Sequence, residues 1–402
     1  MALPTTITGA STGGLIAAHM PPMKSSEGAY YCVAIEGSSG LRVYKASDPT
    51  DSFSPQTAPT RNFPINAVGA WQDGDLIHIV VFEETAAEYF YYVYDMFDDA
   101  WDVDHESIEA PKDIENVQNT TADIIVRGSG DPVIVAYYGD EDSDMGTKYS
   151  RIDLARRSTG GSWTVGIQAF HTSDAVHWRG STLCPGSKNG VHVFCINLNT
   201  DAYCGTTFRS DNTFFGSASA SSSTHITTST TDSAIIFINR AVSFNDGGTY
   251  RVRMPINRGS DDFVLVWRMN ENGTTGDLED VDEVVINESG NPENSGQTYS
   301  LGFMVDGTIL YALWGKDGTA DLYVDSAPTP QGSGDWGTDA DTGLNMAPFP
   351  VGGASVYTRN GAKKIGLFSG TVYDEIDIDP TIDQLSDCKF PLQSSYIGPY
   401  EI

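Results

Sequence analysis

The sequence predicts an all-β propeller. Short apolar runs recur with strand-like character, tight turns rich in Gly, Asp and Asn separate them, and an aromatic residue follows each set of two or three runs. Trp101, Trp163 and Trp336 stand at that place in the clearest copies, with Phe53 and Phe215 at comparable places. The aromatic returns every ~50 to 60 residues, near the roughly 40 to 50 of known blades once loops are allowed to lengthen. Sheets stacked around an axis explain this rhythm, because each can bury its faces only against its neighbours.

Each element follows from that frame. Residues 1–28 are rich in Thr, Gly, Ser and Pro, with one short apolar stretch, Gly14 to Ala18, as a candidate ring-closing strand. Tyr30 to Glu36, a Gly-Ser-Ser-Gly turn and Leu41 to Ser47 form a hairpin leading to Phe53. The second unit turns at Gln72-Asp73-Gly74-Asp75 and runs through Leu76 to Phe82 and Glu88 to Asp95 toward Trp101. The third turns at Ser129-Gly130-Asp131, continues as Pro132 to Tyr138 and Lys148 to Arg157, and reaches Trp163. The fourth turns at Lys188-Asn189-Gly190, followed by Val191 to Asn197, Asp201 to Ser210 and Phe215.

The Ser/Thr tract from Ser217 to Thr231 reads as an extended loop, because such polar sequence contributes nothing to a core. Strand-like runs resume at 234–244, 249–256 and 263–269, then on either side of Asp306-Gly307 toward Trp336, and lastly at 355–359, 363–369 and 371–378. About six four-stranded antiparallel blades are expected, within a range of five to seven. The division is an N-terminal segment 1–28, a propeller over 29–380 and a tail over 381–402, whose end, Ser394 to Ile402, suits docking onto a neighbour or sealing the last blade. No long stretch with a 3.6-residue period occurs, so helix content is expected to be low.

Composition narrows the partners. The 54 acidic against 23 basic side chains give a formal charge of −31, which repels phosphate backbones and argues against nucleic acid. No apolar run reaches the roughly 18 to 20 residues needed to cross a bilayer, so no membrane insertion is expected. The N-terminal MALPTTITGAS has neither a cationic nor a long apolar region and does not read as a secretion signal. Cys32, Cys184, Cys195, Cys204 and Cys388 are odd in number and lack a CxxC pair, which favours buried thiols over a zinc site or a disulfide framework.

Arg156 to Trp163 falls on the spacing of the Asp-box turn motif, SxDxGxTW. Ser158 takes the usual Asp place, Gly160 the Gly, Ser162 the Thr and Trp163 the Trp, while Arg156 replaces the Ser. With the longer stretch from Ile124 to Thr213, the chain resembles the sialidase-like (BNR-type) β-propeller proteins encoded by tailed phages among their virion genes. About a quarter of the sequence carries this resemblance closely. It implies a virion or tail-associated propeller and does not imply hydrolysis.

Sialidase-like catalysis needs three arginines converging on a carboxylate, a Tyr nucleophile activated by Glu, and an Asp acid. Arg127, Arg209, Arg251, Arg253, Tyr137 and Asp131 are of the right types, but nothing in the sequence gathers them. The family's Arg-Ile-Pro signature is missing, and Arg253-Met254-Pro255 is an echo late in the chain. Arg127 and Arg209 are expected to cap turns or pair with nearby Asp. No catalytic residue is assigned.

In Gly139 to Gly146, Asp140, Asp142 and Asp144 alternate as carboxylate ligands of a calcium ion would, the alternative being a solvated acidic loop. The acidic run Asp277 to Glu283 lacks that alternation. The seven histidines show no HxxxH or HExxH spacing, and His78 and His192 occupy equivalent second strands, which structural repetition explains. Tyr89, Tyr91, Tyr92 and Tyr94 serve either blade packing, the favoured reading, or sugar stacking. The function expected is a non-enzymatic structural component of a phage particle, homo-oligomeric among other virion proteins and in contact with host surface glycans. A carbohydrate-active enzyme and a free lectin are the alternatives.

Overall fold

The computed structural model describes residues 5–7, 22–35, 40–61, 65–83, 88–108, 122–140, 149–170, 178–197, 200, 202–214, 226–228, 240–258, 263–287, 302–315, 321–332, 334–337, 340–345, 351–359, 361–369 and 372–378. They form seven four-stranded antiparallel sheets. Strand β1 (Thr5–Thr6) belongs to the last of these. Blade 1 holds β2 (Met23–Lys24), β3 (Tyr30–Ile35), β4 (Leu41–Ala46) and β5 (Ser54–Pro55). Blade 2 holds β6 (Ile65–Asp73), β7 (Leu76–Glu83), β8 (Glu88–Asp95) and β9 (Ala100–Ile108). Blade 3 holds β10 (Ala122–Val126), β11 (Pro132–Asp140), β12 (Tyr149–Arg157) and β13 (Trp163–Phe170). Blade 4 holds β14 (Trp178–Pro185), β15 (Val191–Asn197), β16 (Ala202–Phe208) and β17 (Ile226–Thr227).

Blade 5 holds β18 (Val242–Asp246), β19 (Thr249–Arg258), β20 (Phe263–Glu271) and β21 (Leu278–Asn287). Blade 6 holds β22 (Gly302–Asp306), β23 (Ile309–Gly315), β24 (Asp321–Pro328) and β25 (Ala340–Asn345). Blade 7 holds β26 (Val351–Arg359), β27 (Ala362–Ser369) and β28 (Val372–Asp377), completed by β1. Among the described residues no helix is long and apolar enough to cross a membrane.

Seven apolar clusters fill seven seams, each drawing side chains from two successive blades. Val43 and Val81 meet between blades 1 and 2, Phe82 and Ile124 between 2 and 3, and Val133 and Val193 between 3 and 4. Phe194 and Trp267 meet between 4 and 5, Val266 and Trp314 between 5 and 6, and Leu313 and Leu367 between 6 and 7. Phe368 and Tyr373 of blade 7 pack on Phe53 of blade 1, so the series closes into a ring. The protein is a seven-bladed β-propeller. Both faces of a blade are covered, which is why the second and third strands read as continuous apolar runs.

Seven blades replace the six expected. Residues 242–287 make a full blade, but its fourth strand opens on Leu278, where blades 2 and 3 have Trp101 and Trp163. Leu278 packs against blade 4 as the tryptophans pack against the blade before theirs, with a side chain that carries no aromatic signature. The aromatic rings thus open outer strands and fill the preceding seam. In blade 4 that ring is Phe214, buried against Phe208, while Phe215 lies outside the described residues.

The strand that completes the last blade comes from the N-terminal segment. Thr5 pairs with Tyr373 and Thr6 with Val372, next to Ile7, which bridges to Phe53 and is buried. Gly14 to Ala18 and the tail 381–402 lie outside the described residues. Both β1 and β2 fall within the segment 1–28 that the sequence set apart.

Blades approach most closely near the axis, where the first strands of successive blades touch. A Cβ on Gly69 of β6 would stand 2.7 Å from Ala122 O and from Asp123 Cα of β10, so only glycine fits. The hairpins joining first and second strands use the turns read from sequence. Gly74 and Gly307 hold φ of +60° and +64°, a left-handed conformation that glycine adopts without penalty.

Candidate functional site

The end of the ring built from first–second and third–fourth strand turns carries a belt of polar contacts across the seams. Its components begin as local turn chemistry. Ser158 N–H donates to Ser162 O at 2.8 Å, Gly161 N–H to Ser158 O at 2.9 Å, and Ser162 N–H to Ser158 Oγ at 3.1 Å. This closes the Asp-box-like turn and aims Trp163 at Tyr91 of blade 2, edge to face at 5.3 Å. Arg209 and Thr213 close the corresponding turn of blade 4, and Asn272 and Asp277 that of blade 5.

Residues of one blade then reach the third–fourth turn of the next. Tyr31 of β3 donates from its hydroxyl to Met96 O and to Asp99 Oδ1, both at 2.8 Å. Lys45 joins the same Asp99 at 2.5 Å. Arg127 reaches Arg209 O at 3.3 Å and Asn212 Oδ1 at 3.1 Å. Between blades 4 and 5, His192 Nε2 lies 2.6 Å from Glu271 Oε1, and both side chains are buried. Arg253 donates from Nε to Gln331 Oε1 at 3.0 Å and from Nη2 to Pro330 O at 3.4 Å.

The seam between blades 4 and 5 carries a braced cluster. Leu278 N–H donates to Thr207 Oγ1 at 3.1 Å, and Thr207 Oγ1 lies 3.0 Å from His192 Nδ1. Ser187 donates to Glu271 from its backbone N–H at 2.8 Å and from its hydroxyl. Lys188 Nζ caps Gly273 O and Thr274 O. Serine, histidine and glutamate are all present, yet the serine hydroxyl points at the glutamate and both histidine nitrogens are occupied. The set is a clasp and offers no nucleophile–base pair.

The arginines singled out from the sequence go to separate partners. Arg127 pairs with Asp131 at 2.9 Å, and Arg156 joins the same oxygen at 3.2 Å. Arg209 pairs with Asp277 of blade 5 at 2.6 Å. Against the cost of burial, hydrogen bonds from Arg209 and Thr275 hold the Asp277 carboxyl below its usual range. Arg251 pairs with Asp246 at 2.8 Å. Arg253 is buried with only neutral acceptors; burial, then the charges of Arg251 and Arg268, pull its guanidinium down to about 9. The four do not converge on one point. Tyr137 has its backbone in β11, with its side chain outside the described residues.

The calcium reading finds Asp140 at the end of β11, its backbone opposite Tyr149, with Asp142 and Asp144 outside the described residues. Among the described residues no three His, Cys, Asp or Glu side chains gather to hold a metal. The run Asp277 to Glu283 is used piecemeal: Glu279 accepts from Asn272, Asp280 from Trp267 Nε1 at 2.8 Å, and Asp282 from Arg268. Tyr89 and Tyr91 face blade 3, Tyr92 and Tyr94 face blade 1, and all four are buried, as packing requires. Cys32, Cys184, Cys195 and Cys204 are buried free thiols; burial pushes Cys184 and Cys204 up to about 12.

Sequence reasoning missed the clasp residues Ser187, Thr207 and Glu271 and the axial cation Arg240. Arg240 donates to Leu183 O at 3.2 Å and Ile124 O at 3.0 Å, pairs with Asp123 at 3.2 Å and lies over the Trp71 ring. One residue thereby ties blades 2, 3 and 4 near the axis. No local pattern marks such residues, since most of their partners lie far away in sequence, such as Glu271 from Ser187 and Ile124 from Arg240, and only ring geometry brings them together.

No family model matches the chain, and no curated protein matches it. Solved structures similar to it include a variant of the Aleuria aurantia lectin in complex with Fucalpha1-6GlcNAc, 13% identical with a TM-score of 0.46, covering 82% of this chain and 97% of that one. A Hadza microbial sialidase is 11% identical with a TM-score of 0.44, covering 87% and 73%. A putative 6-phosphogluconolactonase from Bacteroides fragilis is 13% identical with a TM-score of 0.48, covering 91% and 95%. The propeller assignment rests on the seven sheets and seven shared seams themselves.

Proposed function

We propose that the protein is a non-enzymatic structural component of a tailed-phage particle, a rigid ring that assembles with other virion proteins and presents its loops to host surface glycans. The observation that carries this reading is the use of Arg127, Arg209, Arg251 and Arg253. Each serves a different seam or strand pair, so the side chains best suited to grip a sugar carboxylate brace the ring instead. A scaffold needs such stiffness, because loops on a rigid frame can vary without disturbing the core. The sequence resemblance over Ile124 to Thr213 supports the virion setting.

Peptide mass spectrometry of gradient-purified particles tests the proposal. The protein is expected at a fixed copy number per particle, together with no product release from a panel of host surface glycans. Its absence from intact particles overturns the structural assignment, and catalytic release of a sugar from the panel overturns the non-enzymatic one.

A further inference from the structure

At the seam between blades 3 and 4, Arg127 Nη2 and Arg156 Nη1 donate to a single oxygen, Asp131 Oδ2. Two cations therefore face one anion, and the Arg127 and Asp131 side chains are only 2% and 11% exposed. The next cation, Arg209, spends its charge on Asp277, while exposed Asp211 is turned toward Thr213. Among the described residues the notch thus carries one positive charge in excess, in a chain whose formal charge is −31.

Its hydrogen bonding is unbalanced in the same sense. The Nε–H groups of Arg127 and Arg156 are both buried and have no acceptor among the described residues. Buried donors are almost always paired, and those of a cation most of all. Arg253 shows how this chain satisfies a buried guanidinium without a carboxylate: its Nε and both Nη atoms each reach an acceptor. Excess positive charge and two unmade donors on guanidinium groups that share one carboxylate oxygen call for an acceptor that brings negative charge.

We propose that this notch binds a small halide-class anion, chloride in ordinary media, held by the Nε–H groups of Arg127 and Arg156. A monatomic anion accepts hydrogen bonds and brings no hydrogen of its own into the seam. A larger oxyanion would carry further oxygens into a space where the Phe208 ring lies under the Arg127 guanidinium and Asn212 occupies Nη2. Arg156, 22% exposed, marks the way in. A bound anion ties blade 3 to the ion-paired turn of blade 4.

Thermal and denaturant unfolding of the full chain in sodium chloride against sodium gluconate, at matched ionic strength, tests this. Above saturation each tenfold rise in chloride is expected to multiply the folded-to-unfolded ratio by about ten. Arg156→Gln and Arg156→Lys lose that dependence, whereas Arg251→Gln, which breaks an ion pair within the first hairpin of blade 5, keeps it. Anomalous scattering from crystals grown in about 50 mM bromide, a concentration in the range where a ligand of modest affinity is held, places a peak beside Arg127 and Arg156. Equal responses to chloride and gluconate, or a bromide map with no peak at the notch, overturn the proposal, the second result leaving water as the occupant.

Discussion

Glu271 shows how much one residue can carry in a ring of repeated sheets. Its carboxylate accepts from Ser187 N–H and Oγ–H and meets His192 Nε2, all across the seam between blades 4 and 5. Replacing it with alanine leaves those groups buried and unpaired, a loss of about 3 kcal/mol or more at roughly 1 to 3 kcal/mol for each orphaned group. Glu271→Ala is therefore expected to lower the unfolding free energy by that amount in urea titrations, with Thr207→Val costing about 1 to 2 kcal/mol. His78 yields a pH prediction. Burial, then the Arg157 charge, hold its imidazole down to about 4, against about 6.5 in the unfolded chain. Between those values the unfolded chain binds the extra proton. The contribution is therefore complete above pH 6.5 and is lost as pH falls toward 4, up to about 3 kcal/mol. In His78→Phe the stability–pH slope over that window should be shallower by about one proton, and an unchanged slope would refute the assignment.

Among the elements, those legible in the sequence were the second and third strands and the hairpins that lead into them. Runs such as Leu76 to Phe82 and Glu88 to Asp95 are buried on both faces, and Asp73-Gly74 and Asp306-Gly307 carry turn chemistry that admits few other conformations. Outer strands were less legible, because β5, β17 and β1 are two residues long and hold their places through partners distant in sequence. The strands of blade 5 were legible but its end was not marked, because Leu278 does with an aliphatic side chain what Trp101 does with an indole. The belt was invisible for a related reason. Arg127, Arg209 and Arg253 could be named as cations, but whether three arginines converge or disperse is decided by which seam each strand faces. The closing strand offers a direct check on how the ring is held. Ile7 is 2% exposed between blades 7 and 1, so Ile7→Ala is expected to cost about 2 to 5 kcal/mol. Hydrogen exchange should then speed first in β28 and β3, the strands either side of the closure, and a uniform change across all blades would show that β1 does not act as a local clasp.

On the scale of the whole molecule, two electrostatic effects oppose each other. Ion pairs at the seams hold neighbouring blades together, while a formal charge of −31 makes the folded ring repel itself. Salt acts unequally on the two. Exposed carboxylates interact over distances comparable to the Debye length, which shrinks from about 30 Å at 0.01 M salt to about 8 Å at 0.15 M. The Arg127–Asp131 pair, at the seam between blades 3 and 4, is largely shielded from solvent and close in contact, so the same ions weaken it little. Added salt therefore removes more repulsion than attraction. The melting temperature is expected to rise between 0.01 and 0.15 M sodium gluconate, an anion chosen because it does not fit the notch at Arg127 and Arg156. Lysine variants at Asp102 and Glu279, on the outer strands β9 and β21, should flatten the rise by reducing net charge without entering a seam. A melting temperature that falls over the same range would mean that the belt, exposed pairs included, outweighs the self-repulsion, and that this acidic ring is held together chiefly by its charges.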